Sequence, residues 1–203
     1  MLKRSFDILS SGFGLLFISP LLLIITFIIV LSSKGGIFYK QIRVGLNGRK
    51  FKILKFRTMY TGADKLGLLT VGDRDPRVTP IGYYLRKYKL DELPQLINVF
   101  MGDMSMVGPR PEVPKYVDLY SETDRVVLSI RPGITDYASI YFRNENEILK
   151  CSNDPEKKYI EEILPIKLDL NKKYIKEKGV FTDLKIIYLT FRSIFKKDEN
   201  TTG

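Results

Sequence analysis

The chain has 203 residues, with 33 Lys or Arg against 23 Asp or Glu, a formal net charge of +10, no His and a single Cys. That inventory excludes disulfides within the chain, histidine general bases and any His/Cys zinc site. Chemistry, if there is any, falls to carboxylates, Lys, Arg, Tyr, Ser or a hard metal held by oxygen.

From the N-terminus, Ile8 to Ser33 is a run of 26 residues without a charge, flanked by Lys3 and Arg4 before it and Lys34 after it. About 20 apolar residues cross a bilayer as a helix, so this is a membrane element. It is too long for a cleavable signal and lacks a small-x-small cleavage site, so it is expected to stay. Pro20 stands mid-run, where it removes a backbone hydrogen bond and crowds the preceding turn. Both flanks are basic, and short basic loops stay on the cytoplasmic side. A bent helix that enters and leaves on one face meets both constraints; a straight span with an ordinary proline kink is the alternative.

Charge is unevenly spread behind that element. Residues 1–60 hold ten basic groups against Asp7 alone, and the other 143 residues carry 23 basic and 22 acidic groups. Lys34 to Arg57 contributes eight of the basic groups and no acid. Beside an apolar anchor such a run suits an anionic leaflet, at about 1 kcal/mol per basic group near the surface, or a phosphorylated ligand. The membrane segment argues against nucleic acid.

Ile37-Phe38-Tyr39 and Lys50–Arg57 read as short strands joined by a turn at Val44–Gly48. Residues 61–80, rich in Gly, Asp, Pro and Thr, read as a loop. Helical pattern resumes over Ile81–Lys89 and from Asp91 to Met101; Gly102–Pro114 reads as loop and Tyr116–Ile130 as helix, closed by Arg131-Pro132-Gly133. Pro155–Lys197 reads as two helices broken near Gly179. In the second, Leu184, Ile187, Tyr188, Phe191, Ile194 and Phe195 share one apolar face. Core packing is the expectation for that face, with Lys185, Arg192, Lys196 and Lys197 leaving interfacial docking open. The lone Cys151, in a polar stretch, reads as incidental.

Lys89-Leu90-Asp91-Glu92-Leu93-Pro94-Gln95 is the most informative soluble segment. Proline is tolerated in the first turn of a helix and poorly later, which puts the helix start at or near Asp91. Asp91 and Glu92 then read either as a cap with an acidic first turn or as two carboxylates able to hold Mg²⁺, one of them a nucleophile. A carboxylate attacks phosphorus only if cations neutralise the phosphates. Lys55, Arg57, Arg77, Arg86, Arg110, Arg131 and Arg143 are available for that. In Gly108-Pro109-Arg110-Pro111 the prolines stiffen the backbone around Arg110. That is either a phosphate-binding fork or a rigid turn with a solvated Arg.

Taken in order, Lys55-Phe56-Arg57-Thr58-Met59, Leu90-Asp91-Glu92-Leu93-Pro94-Gln95, Asn98-Val99, Gly102-Asp103-Met104-Ser105, Val107-Gly108-Pro109-Arg110-Pro111 and Arg131-Pro132-Gly133-Ile134-Thr135 resemble the bacterial sugar transferase family of monotopic phosphoglycosyl transferases. The resemblance runs from Lys3-Arg4-Ser5-Phe6-Asp7 to about Thr190. It implies transfer of a phosphosugar from a UDP-sugar to a polyprenol phosphate, undecaprenyl phosphate, with release of UMP. Asp91 would be the nucleophile and form a phosphosugar intermediate, and Glu92 would help bind Mg²⁺ or activate the incoming group. Ser19-Pro20 matches the family's helix break, Arg131 and Arg143 align with family Arg positions, and Asp169 matches a family acidic position, although it reads equally as a helix-surface charge. Asp136-Tyr137-Ala138-Ser139-Ile140-Tyr141-Phe142 departs from the family pattern, which leaves the sugar open, with an N-acetylated hexosamine favoured.

The expected architecture is α+β. A re-entrant membrane helix over residues 1–34 precedes a small, mainly helical cytosolic phosphoglycosyl transferase domain over 35–203, with a short β element and amphipathic interfacial helices. The expected location is monotopic, on the cytosolic face of a bacterial inner membrane. Partners are a UDP-sugar, a polyprenol phosphate and the membrane itself; homo-oligomerisation is left open. Two competitors stand: a non-catalytic membrane-anchored scaffold, in which Asp91 and Glu92 are ordinary caps, and a glycosyltransferase that leaves UDP.

Overall fold

The computed structural model describes residues 2–63, 67, 69–72 and 75–195, with the side chains of 194 and 195 excepted. Helix α1 (Leu2–Ser32) runs for 31 residues, and its helical hydrogen bonding continues past Pro20. Ser19 Oγ donates back to the Leu16 carbonyl at 2.8 Å. The helix is long and apolar enough to cross a membrane, and most of its large side chains are exposed, among them Phe13, Leu16, Phe17, Leu23 and Phe27.

α1 nevertheless rests on one domain at both ends. Near its start Arg4 donates to the carbonyls of Val99 and Phe100 at 2.7 and 2.9 Å. Asp7 is buried and accepts from Ser105 Oγ and Met106 N at 2.9 and 3.0 Å. Gly12 and Gly14 face Phe100 and Leu96 of helix α3 (Gln95–Met101). Near the far end, Ile25 and Ile29 pack with Phe56 and Leu85. Arg57 then donates to the carbonyls of Ser33 and Lys34 at 2.7 and 2.6 Å, filling acceptors that a helix end leaves open.

Strands β1 (Phe38–Val44) and β2 (Lys50–Phe56) pair antiparallel, with Phe38 opposite Phe56 and Val44 opposite Lys50. The turn falls where the sequence puts it, with Asn47 and Gly48 at positive φ. Asn98 ties this hairpin to α3: its Oδ1 accepts from Leu54 N and its Nδ2 donates to the Lys52 carbonyl, both at 2.9 Å. Helix α2 (Pro80–Lys87) starts as its sequence dictates, with Pro80 at the first position and Thr79 accepting from Gly82 N.

Three expectations are corrected. The helix expected from Asp91 begins at Gln95, because Leu90–Glu92 form a 3₁₀ turn and Pro94 precedes the first helical residue. Tyr116–Ile130 is not one helix: α4 (Pro114–Val117) stops early and Asp124–Ser129 form a 3₁₀ segment. The break turns Tyr116, Val117, Tyr120 and Val127 into one core with Tyr159, Ile163 and Leu168. The expected loop after Met101 contains β3 (Ser105–Val107), which pairs in parallel with β4 (Gly133–Thr135).

Residues 136–150 form α5 (Tyr137–Tyr141) and α6 (Glu145–Lys150). α7 (Pro155–Lys158) continues through a π turn at Tyr159–Ile163 into α8 (Leu164–Glu177), and α9 (Val180–Phe195) follows the expected break at Gly179. The apolar face expected to enter the core from α9 is largely outside it. Asp183 and Ile186 are buried, whereas Phe181, Leu184, Tyr188 and Phe191 are exposed. Lys196 and Lys197 lie outside the described residues.

The parallel pair depends on two glycines. A Cβ at Gly133 would overlap the backbone of Gly108. Gly133→Ala is expected to cost about 3 kcal/mol or more and to lower the melting temperature of the purified protein in detergent, whereas the exposed change Lys185→Ala leaves it within about 1 °C.

Candidate active site

Asp91 and Glu92 sit side by side on the 3₁₀ turn, and the chain reaches them through Lys89, a non-glycine residue at φ 56°. That left-handed residue closes the end of α2, its N–H donating to the Arg86 carbonyl at 3.0 Å. It redirects the backbone so that both carboxylates face the cleft.

Glu92 is clamped. Lys55 Nζ donates to Oε1 at 2.8 Å, Arg110 Nη1 donates to Oε2 at 3.1 Å, and Arg110 Nη2 donates to Oε1. Burial alone would raise the Glu92 pKa, but Arg110 and Lys55 outweigh it and hold the carboxyl well below the usual range. In return Glu92 keeps Arg110 protonated, while burial draws Lys55 down despite its partner. The sequence supplies Arg110 as a fork for phosphate; here both prongs lie on Glu92.

Asp91 is the opposite case. It is buried, and its Oδ1 has no hydrogen-bond partner among the described residues. Burial, followed by repulsion from Glu92, raises its pKa, with Lys55, Arg86 and Lys89 acting against the rise. A capping Asp would accept a backbone N–H through that oxygen. Asp91 Oδ1 accepts none, and Lys55, Arg86 and Lys89 act on the carboxylate only through their charge.

The Arg110 loop is itself held from behind. Asp136, completely buried, accepts from Arg110 N at 3.0 Å through Oδ2 and from Ser139 N at 2.6 Å through Oδ1, which also caps α5. Asp136 is a positioning residue that sequence reading missed, although an Asp immediately before the stretch Tyr137–Tyr141 is a legible N-cap signal.

The other expected residues divide. Arg86 and Arg143 line the cleft with Asp91. Arg57 also borders it, but its terminal nitrogens are held by the end of α1. Arg131 donates to the Gly102 carbonyl at 2.9 Å, on the outside of the β3–β4 pair. Asp169 is exposed on α8 and paired with Lys172 at 2.9 Å. Arg77 binds Asp75 and the carbonyls of Gly67 and Leu69, stitching the 61–80 loop.

Among the described residues no group of three or more Asp, Glu, His or Cys converges as a metal site. The residues fit a Mg²⁺ ion only in a limited way. Mg²⁺ commonly takes one or two carboxylates with substrate phosphates and water; Asp91 Oδ1 is a free oxygen ligand, while both Glu92 oxygens are taken by Lys55 and Arg110.

The cleft encloses about 1530 Å³, more than the roughly 300–1,000 Å³ of a site for one small molecule, which suits a ligand or ligands in several parts. A family model described as "Bacterial sugar transferase" matches residues 1–197. The chain belongs to the bacterial sugar transferase family. It is 35% identical over 209 residues to the exopolysaccharide production protein ExoY of Rhizobium meliloti, covering 96% of this chain and 85% of that one. It is 36% identical over 194 residues to the UDP-glucose:undecaprenyl-phosphate glucose-1-phosphate transferase of Escherichia coli, covering 94% of this chain and 39% of that one. A third relative is the UDP-N-acetylgalactosamine-undecaprenyl-phosphate N-acetylgalactosaminephosphotransferase of Aeromonas hydrophila, 34% identical over 196 residues, 95% of this chain and 43% of that one. The chain is thus a sugar transferase that spans most of ExoY and less than half of the other two.

Membership makes the unpaired carboxylate testable through stability. Asp91→Asn removes a buried charge and its repulsion from Glu92 while keeping the shape. The variant is expected to melt a few degrees higher than wild type at pH 7 while losing activity, the usual trade of stability against a functional residue. Differential scanning fluorimetry decides it; a lower melting temperature would mean that Asp91 is a structural group.

Proposed function

We propose that this sugar transferase moves a phosphosugar from a UDP-sugar, an N-acetylated hexosamine, to undecaprenyl phosphate and releases UMP, as the first membrane step in assembling a polysaccharide or other glycoconjugate. The observation that carries the reading is Asp91, a buried carboxylate with an unpartnered oxygen beside Lys55, Arg86 and Arg110.

In the first step an Asp91 carboxylate oxygen attacks the sugar-linked phosphorus. A bond from that oxygen to phosphorus forms, the bond from phosphorus to the bridging diphosphate oxygen breaks, and UMP leaves with the electron pair. In the second step a phosphate oxygen of undecaprenyl phosphate attacks the same phosphorus, the bond to Asp91 breaks, and the carboxylate is restored. The two steps displace in turn UMP and Asp91, and no proton has to be taken from a hydroxyl. That agrees with a chain lacking histidine and with phosphoryl transfer as a problem of positioning and charge neutralisation. Glu92, saturated by Lys55 and Arg110, acts by fixing those two cations at the reacting phosphorus. A bound Mg²⁺ would supply further neutralisation of the diphosphate, with Asp91 as the carboxylate left open to it, since Lys55 and Arg110 occupy both Glu92 oxygens.

A substrate with a lipid tail has to be met at the membrane. A 31-residue helix is roughly 45 Å long, beyond the hydrocarbon thickness of about 30 Å. A straight crossing would carry either Arg4 and Asp7 or Ile25 and Ile29 away from partners they touch on one domain. That supports a helix dipping into one leaflet about Ser19-Pro20, with the domain on the cytosolic face of the bacterial inner membrane. The exposed Phe181, Leu184, Tyr188 and Phe191 of α9 support a second, interfacial contact. The scaffold reading needs Asp91 as an ordinary cap, and an Oδ1 without an N–H partner argues against it.

Incubation with labelled UDP-sugar, without lipid acceptor, is expected to leave phosphosugar on the peptide containing Asp91, detected by rapid-quench mass spectrometry. UMP release that strictly requires undecaprenyl phosphate, with no adduct, would replace the covalent route by direct transfer. A glycosyltransferase would instead release UDP.

The pH profile follows from the same carboxylate. Attack needs Asp91 deprotonated, and its pKa is raised by burial and by Glu92. Activity therefore falls as pH drops through that raised value, so the acid limb of kcat/KM lies above the roughly 3.9 of an ordinary Asp. In Glu92→Gln the repulsion is gone and the limb moves to lower pH; a limb that stays in place would assign it to another group.

A further inference from the structure

The cleft has a second polar end that phosphoryl transfer does not use. Lys167 on α8 pairs with Glu145 at 2.5 Å and lies 4.0 Å from Glu112. Glu112 accepts from Tyr159 OH at 2.5 Å and lies 3.6 Å from Arg43. Within this cluster two cations balance two carboxylates, so the four groups together are neutral and suit a neutral polar group rather than a phosphate. It shares one cleft with the reacting centre: Asp91, Glu92 and Arg110 line the same cavity as Glu112, Glu145 and Lys167.

One turn along α8 from Lys167 is Asn171, which also lines the cleft. It is only 6% exposed, and its Oδ1 has no hydrogen-bond partner among the described residues. On α5, which packs against α8, the Ser139 hydroxyl faces the same cleft, buried and likewise without a partner. Leaving a buried acceptor unmade costs about 1–3 kcal/mol, a cost removed when a ligand donates to it. Resting on the phosphosugar-transfer reading, we propose that Asn171, assisted by Ser139, recognises the acetamido group of the transferred hexosamine. Its Oδ1 accepts the acetamido N–H, and the Ser139 hydroxyl is the donor for the acetyl carbonyl, which in a trans amide points away from the N–H. The sugar is joined to the reacting phosphorus through its anomeric oxygen alone, whereas the uracil ring is separated from it by a phosphate and a ribose, so of the two the sugar is the group held within the cleft that Asp91, Ser139 and Asn171 share.

The test is UMP release by the full chain in nanodiscs with undecaprenyl phosphate, comparing UDP-N-acetylglucosamine and UDP-N-acetylgalactosamine with UDP-glucose and UDP-galactose. Wild type is expected to prefer the acetamido sugars, and Asn171→Ala to shrink that preference, as a ratio of kcat/KM values, by about tenfold or more. Asn171→Ser is read the same way if the alanine variant does not fold. A wild type that favours UDP-glucose, or a ratio that stays within twofold of wild type because all four donors lose equally, overturns the assignment and leaves phosphosugar transfer standing. No UMP from any UDP-sugar would instead overturn the transfer reading beneath it.

Discussion

The site is organised by the double hold of Lys55 and Arg110 on Glu92. Lys55 comes from β2 and Arg110 from the loop after β3, so one carboxylate joins two parts of the domain that are far apart in sequence. By absorbing two buried cations it fixes their positions and leaves its neighbour Asp91 without a strong partner. Removing either cation would strip a buried ion of compensation, which is costly in low dielectric. On the proposed reading Glu92 is the structural carboxylate and Asp91 the reactive one, although adjacent carboxylates in the sequence do not distinguish them.

Each participant in that hold has a support of its own. Asn98 fastens the strand carrying Lys55 to the helix that follows Asp91. Asp136 fixes the backbone of Arg110, and the contact of Gly108 with Gly133 sets the height of the loop above β4. Lys89, in a conformation that costs a non-glycine residue about 1 kcal/mol or more, aims the turn. Local strain and long-range hydrogen bonds thus meet at one carboxylate pair.

What could be read from the sequence follows the range of the interactions. The hairpin, α2 and the break at Gly179 depend on alternation, caps and turn residues within a few positions, and all were legible. The charged residues were legible as well, through the ordered motifs around Lys55, Asp91-Glu92 and Arg110 that resemble a known family, since each motif alone reads equally as a cap or a turn. The β3–β4 pair was not, since three-residue strands carry no periodicity and their partner lies beyond an intervening core segment. Nor was the duty of Arg57, whose acceptors at Ser33 and Lys34 are backbone carbonyls with no side-chain signature. Lys167 and Asn171 carry no signal of their own in the sequence; only the fold turns them inward.

Asp7 carries a consequence for how the chain is made. It belongs to the first turns of the membrane helix, yet its acceptors are satisfied by a residue 98 positions later. At roughly 5–20 residues per second of synthesis, several seconds pass between the arrival of α1 at the bilayer and the emergence of Ser105. During that interval a carboxylate waits at the lipid boundary with only water for company, and the helix is held by its apolar flank and basic ends alone. On the reading that α1 sits in lipid, it can therefore insert before the domain is complete, with the last part of the core closing onto it afterwards.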